Sequence, residues 1–205
     1  TLIFIVTAII LTAISGLPGF FLSKRSARGQ ITAAFLVCLG SFSGLAGVVF
    51  AFTGKFTGRG SDFVLFTWLA DYDAFFRVDA LSAFFLVPIF TIAALGAIFG
   101  LGYWPQKRRP RTALKVQFFW GILTAGMTLL VISKHAMVFF FGWEFMAISA
   151  FFLITAEDDK PACRKSGLVY LAATHLGSLI LLGLFAFWRS TTGSFDFLPL
   201  EDGTA

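Results

Sequence analysis

Six long apolar segments dominate this chain of 205 residues and restrict what it can fold into. Each segment has about 17–25 residues, the length that an α-helix needs to cross the roughly 30 Å hydrocarbon core of a bilayer. Lipid offers no hydrogen bonds to the backbone, so such segments cross it as helices. The sequence therefore predicts an all-α, polytopic transmembrane helical bundle of about six helices in a single membrane domain. The predicted spans are 2–22, 31–53, 80–104, 113–133, 136–156 and 167–188.

The composition agrees with a membrane protein. The chain is 58% hydrophobic and 13% charged, whereas soluble domains have about 25% charged residues. The net charge of +5 does not indicate nucleic acid, because the basic residues cluster at the ends of the apolar segments. We expect an integral membrane protein whose surroundings are the lipid bilayer, with no nucleic-acid partner.

The basic residues also predict an orientation. With the N-terminus outside, 11 of the 16 Lys and Arg residues fall in inner loops and five fall outside. The excess of positive charge in inner loops favours this arrangement. The longest polar stretch, 54–79, alternates apolar and polar residues in places, which indicates a short β-hairpin lying on the outer face.

Glu144 is the residue that we most expect to carry chemistry, because it lies in the middle of the fifth predicted span. An ionisable group at that depth costs about 2.5–3.5 kcal/mol to insert, so it must face a partner, water or the bundle interior. Low-dielectric surroundings favour the neutral carboxyl, whereas a nearby cation favours the carboxylate. A site balanced between the two can load and release a proton. The alternative is a Glu that only hydrogen-bonds a neighbouring helix.

His175, in the sixth predicted span, is the second candidate for proton translocation. An imidazole can accept and donate protons near neutral pH, and the alternative is a neutral His that bonds a neighbouring helix. Thr174 and Ser178 are auxiliary candidates that share one helix face. His175 points about 100° away from Thr174.

Three basic residues near the ends of these spans are further auxiliary candidates. Lys134 lies ten residues before Glu144, about 15 Å along a helix, which is too far for a direct salt bridge between the two. A snorkelling lysine at the interface is therefore the preferred interpretation. Arg164 and Lys165 lie at the start of the sixth helix, just before its apolar span, where they either hold charge near a proton path or form a solvated surface.

The sequence offers no redox or metal centre. It has two Cys and two His residues, and it lacks a CxxC pair, a His cluster with metal-ligand spacing and a phosphate-binding glycine loop. We therefore expect no cofactor, no metal and no catalytic residue in this chain. Any electron chemistry would belong to other subunits.

Three motifs resemble the antiporter-like membrane subunits of respiratory complex I, membrane-bound hydrogenases and Mrp-type cation/proton antiporters. They are FGWEFMAISAFFLI at 141–154, KPACRKSGLVYLAATHLGS at 160–178 and FRVDALSAFF at 76–85. The second motif looks most like the branch of hydrogenase-4 component B and formate hydrogenlyase subunit 3. The resemblance implies an N-terminus outside and a hairpin on the outer face.

The resemblance also implies a function. The family's key glutamate maps onto Glu144, whereas its partner lysine on a seventh helix has no counterpart in this sequence. We therefore expect a fragment from the N-terminal part of a longer subunit. That subunit would translocate protons or another cation in a redox-driven complex, as a non-redox subunit beside other membrane and soluble subunits. We expect a membrane of the prokaryotic plasma-membrane type.

Two other functions remain open at this point. One is an Mrp-type cation/proton antiporter with no redox partner. The other is a membrane anchor that docks a soluble enzyme without moving ions. An anchor has no need for an acid in the middle of the bilayer, so Glu144 argues against it.

Overall fold

A computed structural model describes residues 1–22, 27–53, 63–64 and 75–197 of the chain. It confirms the predicted all-α membrane fold, since five helices are long and apolar enough to span a bilayer. Two very short strands accompany the helices. The elements are α1 (Leu2–Ile14), α2 (Pro18–Phe21), α3 (Arg28–Thr53), β1 (Phe63–Val64), β2 (Phe75–Phe76), α4 (Ala80–Tyr103), α5 (Pro110–Ile132), α6 (Ala136–Ile154) and α7 (Pro161–Thr192).

The first predicted span, 2–22, is not one continuous helix. It consists of α1 and the four-residue α2, and the two are joined by a tight turn at residues 15–17. Pro18 explains the break, because proline has no N–H group to continue the helical hydrogen bonds. Hydrogen bonds between residues three positions apart are found here instead, from the Leu17 N–H to the Ile14 carbonyl at 3.0 Å and from the Gly19 N–H to the Gly16 carbonyl at 3.2 Å.

The ends of the long helices follow from local chemistry. Asp79 precedes α4 and accepts a hydrogen bond from the Ser82 N–H at 2.7 Å, as expected for an N-cap. Pro110 and Pro161 each begin a helix, where a missing N–H has no effect. Helix α7 ends at Thr192 and is capped by Gly193, whose φ of 78° is a left-handed conformation that favours glycine.

Helices α1, α3, α4 and α5 pack together as a bundle, α6 packs against α5, and α7 packs against α6. Small residues permit the close contacts within the bundle. A side chain added at Gly40 would meet α1, and side chains at Gly44 and Gly96 would overlap Phe90 and Trp120. Gly100 and Gly177 differ from these positions, because a side chain at either would meet no atom of the described residues within 4 Å.

The two ends of the bundle differ in character. The end that carries Lys134, here called the Lys134 end, holds short extended segments. Strands β1 and β2 pair antiparallel there, and single bridges link Phe76 to Ser133 and His135 to Asp196. Residues 65–74, which would complete the predicted hairpin, lie outside the described residues, as does the chain from 198 to 205. The hairpin on the outer face and the orientation of the chain therefore remain predictions.

At the opposite end, here called the Arg109 end, two glutamines join α3 to the α4–α5 loop. The Gln30 N–H donates to Gln106 Oε1 at 2.8 Å, and the Gln106 N–H donates to Gln30 Oε1 at 2.8 Å. The Gln30 amide also donates to the carbonyls of Gly100 and Trp104, each at 3.0 Å. Both glutamines are buried, so this exchange supplies polar partners that the apolar surroundings lack.

Candidate functional site

Glu144 lies on α6 at the boundary with α7, and its position follows from how α6 packs on α5. A side chain added at Gly142 would come within 3.0 Å of the Leu130 nitrogen and 3.1 Å of the Gly126 carbonyl oxygen. This small-residue contact presses one face of α6 against α5. Glu144 is two residues further along, about 200° around the helix. The same contact therefore turns the Glu144 carboxyl away from α5 and towards α7.

Ser178 of α7 meets the half-buried carboxyl of Glu144. The Ser178 hydroxyl donates a hydrogen bond to Glu144 Oε1. Ser178 is buried, as are Gly167 and Phe185. These three residues are 11 and seven positions apart, which places them along one face of α7. The inward face of α7 thus brings a single hydroxyl donor to the carboxylate.

The other two α7 candidates hydrogen-bond within their own helix and not to Glu144. The Thr174 hydroxyl donates to the Tyr170 carbonyl at 2.9 Å, within its own helix. The His175 side chain is exposed, and its Nδ1 lies 3.0 Å from the Leu171 carbonyl oxygen. The structure therefore brings Ser178 to the carboxylate and places His175 on the open side of α7.

Lys134 is not a free interfacial lysine. Its Nζ lies 2.6 Å from Asp79 Oδ2 at the start of α4. Burial of the Asp79 carboxyl raises its pKa, but the hydrogen bonds from Lys134 and Ser82 outweigh this effect and lower the pKa from 3.8 to about 2. The lysine predicted for the interface is thus part of an ion pair that joins the start of α4 to the residues before α6.

His135 neighbours this ion pair and begins α6. Its Nδ1 accepts a hydrogen bond from the Met137 N–H at 3.2 Å, so the ring acts as an N-cap. Burial lowers the pKa of His135, and the negative charge of Asp196 opposes that shift. The chain after α7 pairs with this segment, since the Ala136 N–H donates to the Phe195 carbonyl and the Phe197 N–H to the Lys134 carbonyl, both at 2.8 Å.

Arg164 and Lys165 lie at the Arg109 end, far along α7 from Ser178. Both are exposed, and Arg164 donates to the Asp158 carbonyl at 2.9 Å. Glu157 in the same loop pairs with Arg109 and Lys160, and hydrogen bonds from Lys160 and then Arg109 lower its pKa. These contacts tie the α6–α7 loop to the α4–α5 loop.

Asp79 was not among the predicted site residues, although the sequence contains a signal for it. Asp79 and Ser82 have the three-residue spacing of an N-cap, and Asp79 and Lys134 both lie in segments predicted for the outer face. Within the described residues, no three His, Cys, Asp or Glu side chains form a group that could hold a metal ion.

The fold and this site define a class of protein: a polytopic membrane protein with a carboxyl group held between two spanning helices. Residues 133–203 match the transmembrane family described as NADH:quinone oxidoreductase/Mrp antiporter. This segment includes Lys134, Glu144, His175 and Ser178. This part of the chain is therefore similar to the membrane domain of that family, the likeness that the sequence motifs predicted.

Individual proteins of the same kind are also similar to this chain. The chain is 30% identical over 138 residues to hydrogenase-4 component B of Escherichia coli (strain K12), which covers 65% of this chain and 20% of that protein. It is 28% identical over 117 residues to NADH-quinone oxidoreductase subunit L of Rhodobacter capsulatus, covering 53% of this chain and 16% of that protein. The chain therefore matches about a fifth or less of the length of these curated relatives.

A solved structure has the same arrangement of helices. It belongs to the membrane-bound sulfane sulfur reductase, an archaeal respiratory membrane complex, and it superposes with a TM-score of 0.73. The match covers 93% of this chain and 28% of that chain, at 16% sequence identity. This likeness supports the fold of nearly the whole chain.

Proposed function

We propose that this chain is part of an antiporter-like membrane subunit that translocates protons in a redox-driven complex. The single observation that carries the proposal is the Glu144 carboxyl, which α6 holds against the Ser178 hydroxyl between two spanning helices. The family matched by residues 133–203, together with relatives that are a hydrogenase component and a quinone oxidoreductase subunit, points to the same function.

The chemistry of the Glu144–Ser178 pair suits a proton that is repeatedly loaded and released. A carboxylate is an acceptor only, whereas a protonated carboxyl also donates. The serine hydroxyl can donate or accept by rotating. Ser178 therefore offers Glu144 a partner in both protonation states, and a change of protonation need not leave a buried polar group unpaired.

A moving positive charge would drive the cycle. A cation that approaches Glu144 favours the carboxylate, and its withdrawal favours proton uptake. This charge would come from outside the described residues, because Lys134 is engaged with Asp79 at the Lys134 end. The exposed imidazole of His175 would pass protons laterally from the open side of α7, with Thr174 as a hydroxyl near the path. Arg164 and Lys165 would supply positive charge at the far end of α7.

The partners and location follow from the same proposal. The chain would assemble with other membrane and soluble subunits that carry the redox centres, in a membrane of the prokaryotic plasma-membrane type. It would itself act as a non-redox subunit, holding no cofactor or metal and contributing no catalytic residue. The lipid bilayer would surround the exposed apolar side chains of its helices.

Two alternatives predict different behaviour. An Mrp-type antiporter would exchange a cation for protons without any redox partner, and the same family description includes that function. A membrane anchor would dock a soluble enzyme and move no ions. The Glu144 site favours both transport functions over the anchor, because an anchor does not need a carboxyl between spanning helices.

The test is the substitution Glu144→Gln in the full-length subunit within its complex. Proton uptake and electron transfer are measured separately in proteoliposomes. Gln keeps the size and hydrogen-bonding ability of the side chain but cannot ionise, so we expect proton uptake per electron to fall at least tenfold. The matched control is Glu157→Gln in the α6–α7 loop, which should leave uptake unchanged.

The outcomes separate the three functions. Proton uptake that persists undiminished in Glu144→Gln contradicts the proposed role of this residue. Cation/proton exchange that proceeds without electron transfer and disappears in Glu144→Gln identifies an Mrp-type antiporter. Electron transfer with no proton movement in the unmodified complex identifies an anchor.

A further inference from the structure

Two adjoining cavities lie near the Arg109 end of the bundle, away from Glu144. The first is an apolar groove of about 150 Å³ between α3, α4 and α5, with Val37, Ala97 and Phe99 among its lining residues. The second is a polar recess of about 310 Å³ formed by the α4–α5 loop and Glu157. Tyr103 and Trp104 line both cavities. A polar recess therefore adjoins an apolar groove on the side of a membrane-spanning bundle.

The polar recess has an excess of positive charge. Arg108 and Arg109 both line it, and Glu157 is the acidic residue among its lining side chains. Glu157 is already paired with Arg109 and Lys160. Arg108 is exposed and makes no ion pair with any residue in the part of the chain that the structure describes. One guanidinium group is thus left for an anion, and its planar fork of donors matches a phosphate group.

The aromatic residues between the two cavities suit the membrane interface. Tyr103 stacks on Phe99 with 5.3 Å between ring centroids, and it meets the Trp104 ring edge-on at 4.6 Å. Phe99 and Tyr103 are 67% and 60% exposed, although α4 is an apolar spanning helix. Tyr and Trp concentrate where a bilayer changes from hydrocarbon to headgroups. The boundary between the apolar groove and the polar recess therefore lies at the membrane depth where the acyl chains of a lipid meet its headgroup.

We propose that this pair of cavities binds one anionic phospholipid, with its phosphate at Arg108 and one acyl chain in the groove between α3, α4 and α5. The positive charge of Arg108 favours an anionic headgroup, and the apolar groove favours a molecule that also carries an acyl chain. Basic recesses between spanning helices are a general mode of recognition for anionic lipid headgroups. A soluble phosphate would use only the recess, so the adjoining groove favours a lipid.

The test measures lipid retention by the purified full-length subunit in detergent, using native mass spectrometry. Dioleoyl phosphatidylglycerol and dioleoyl phosphatidylcholine have the same chains but differ in headgroup charge. We expect the anionic lipid to be retained at least fivefold more than the neutral lipid. Arg108→Gln should remove this preference. Arg108 is exposed, so the variant should fold, and an unchanged melting temperature verifies this.

Lys165→Gln is the matched control, because it removes one exposed basic residue near the same end of the bundle without touching either cavity. It should leave the preference intact. An equal loss in both variants overturns the proposal, since diffuse surface charge would then account for binding. Equal retention of the two lipids by the unmodified protein overturns it as well.

Two competitors distinguish a lipid from a soluble anion. Dihexanoyl phosphatidylglycerol, whose chains are short, should displace the dioleoyl lipid at least tenfold less effectively than unlabelled dioleoyl phosphatidylglycerol does. Inorganic phosphate should not displace it at millimolar concentration. Displacement by phosphate would overturn the lipid proposal and indicate a site for a soluble anion.

Discussion

Replacing Lys134 by Gln removes the ion pair that joins the start of α4 to the residues before α6. The Lys134 Nζ and Asp79 Oδ2 atoms are 2.6 Å apart. Asp79 is also the N-cap of α4, so its charge and its capping role must be separated. Asp79→Asn removes the charge and keeps a good N-cap, whereas Asp79→Ala removes both. The comparison of Asn with Ala therefore isolates the cap, which is worth about 1 kcal/mol.

The strength of the ion pair follows from the pKa of Asp79 and its exposure. The fall from 3.8 to about 2 sets an upper limit of about 2.5 kcal/mol at about 1.4 kcal/mol per unit. The Asp79 and Lys134 side chains are 41% and 27% exposed, and solvent screens such pairs strongly, so we expect a coupling of about 1 kcal/mol or less. The sign of the shift means that Asp79 contributes stability above pH 4, and that this contribution is lost as the pH falls from about 4 to about 2.

A double-mutant cycle measures this coupling. The four proteins are the unmodified chain, Lys134→Gln, Asp79→Asn and the double variant, each unfolded in mixed detergent and followed by Trp fluorescence. A coupling near zero at neutral pH would show that the ion pair contributes nothing to stability. A coupling that persists unchanged at pH 2 would show that its origin is not the charge of Asp79.

Two further substitutions test the packing of the bundle by the same unfolding assay. Gly121→Ala places a methyl group against the α1 backbone and should lower the free energy of unfolding by about 1–3 kcal/mol. The control Gly100→Ala adds a methyl group that meets no described atom within 4 Å, so it should not lower this free energy. Equal effects of the two variants would contradict the close α1–α5 contact. Gln30→Ala leaves the buried Gln106 N–H without its acceptor and should lower the free energy of unfolding by about 2 kcal/mol or more. The control Thr91→Ala, at an exposed hydroxyl, should lower it by less than about 1 kcal/mol. A Gln30 variant as stable as this control would refute the role of the amide pair.

The spans of α3 to α6 were predicted within three residues, because hydrophobic length alone specifies where a bilayer-crossing helix lies. The first span was predicted as one helix because its hydropathy is continuous, although Pro18 breaks the backbone hydrogen bonds there. Helix α7 begins at Pro161, six residues before the predicted start, because a helix extends past the apolar segment until its cap.

The candidate site was predicted less completely than the fold. Glu144 stands out in the sequence because a single carboxyl in an apolar span is costly. Its partner does not, because the choice between Ser178 and His175 depends on how α7 is rotated against α6. The pair of Asp79 and Lys134 is separated by 55 residues and was missed for the same reason. Sequence periodicity defines the faces of each helix, but the pairing of faces is decided by packing between helices.

Helix α6 connects two parts of the molecule that hold Glu144 in different ways. On one face, Gly142 lies against Gly126 and Leu130, and this backbone contact fixes the rotation of α6 relative to the bundle. On the other face, the carboxyl is held by Ser178, and α7 packs against α6 while Leu176 and Ile180 remain 63% and 75% exposed. A displacement of α7 would therefore alter the hydrogen bond to the carboxyl without disturbing the α5–α6 contact. The bundle fixes where the carboxyl is, and α7 determines what it bonds to.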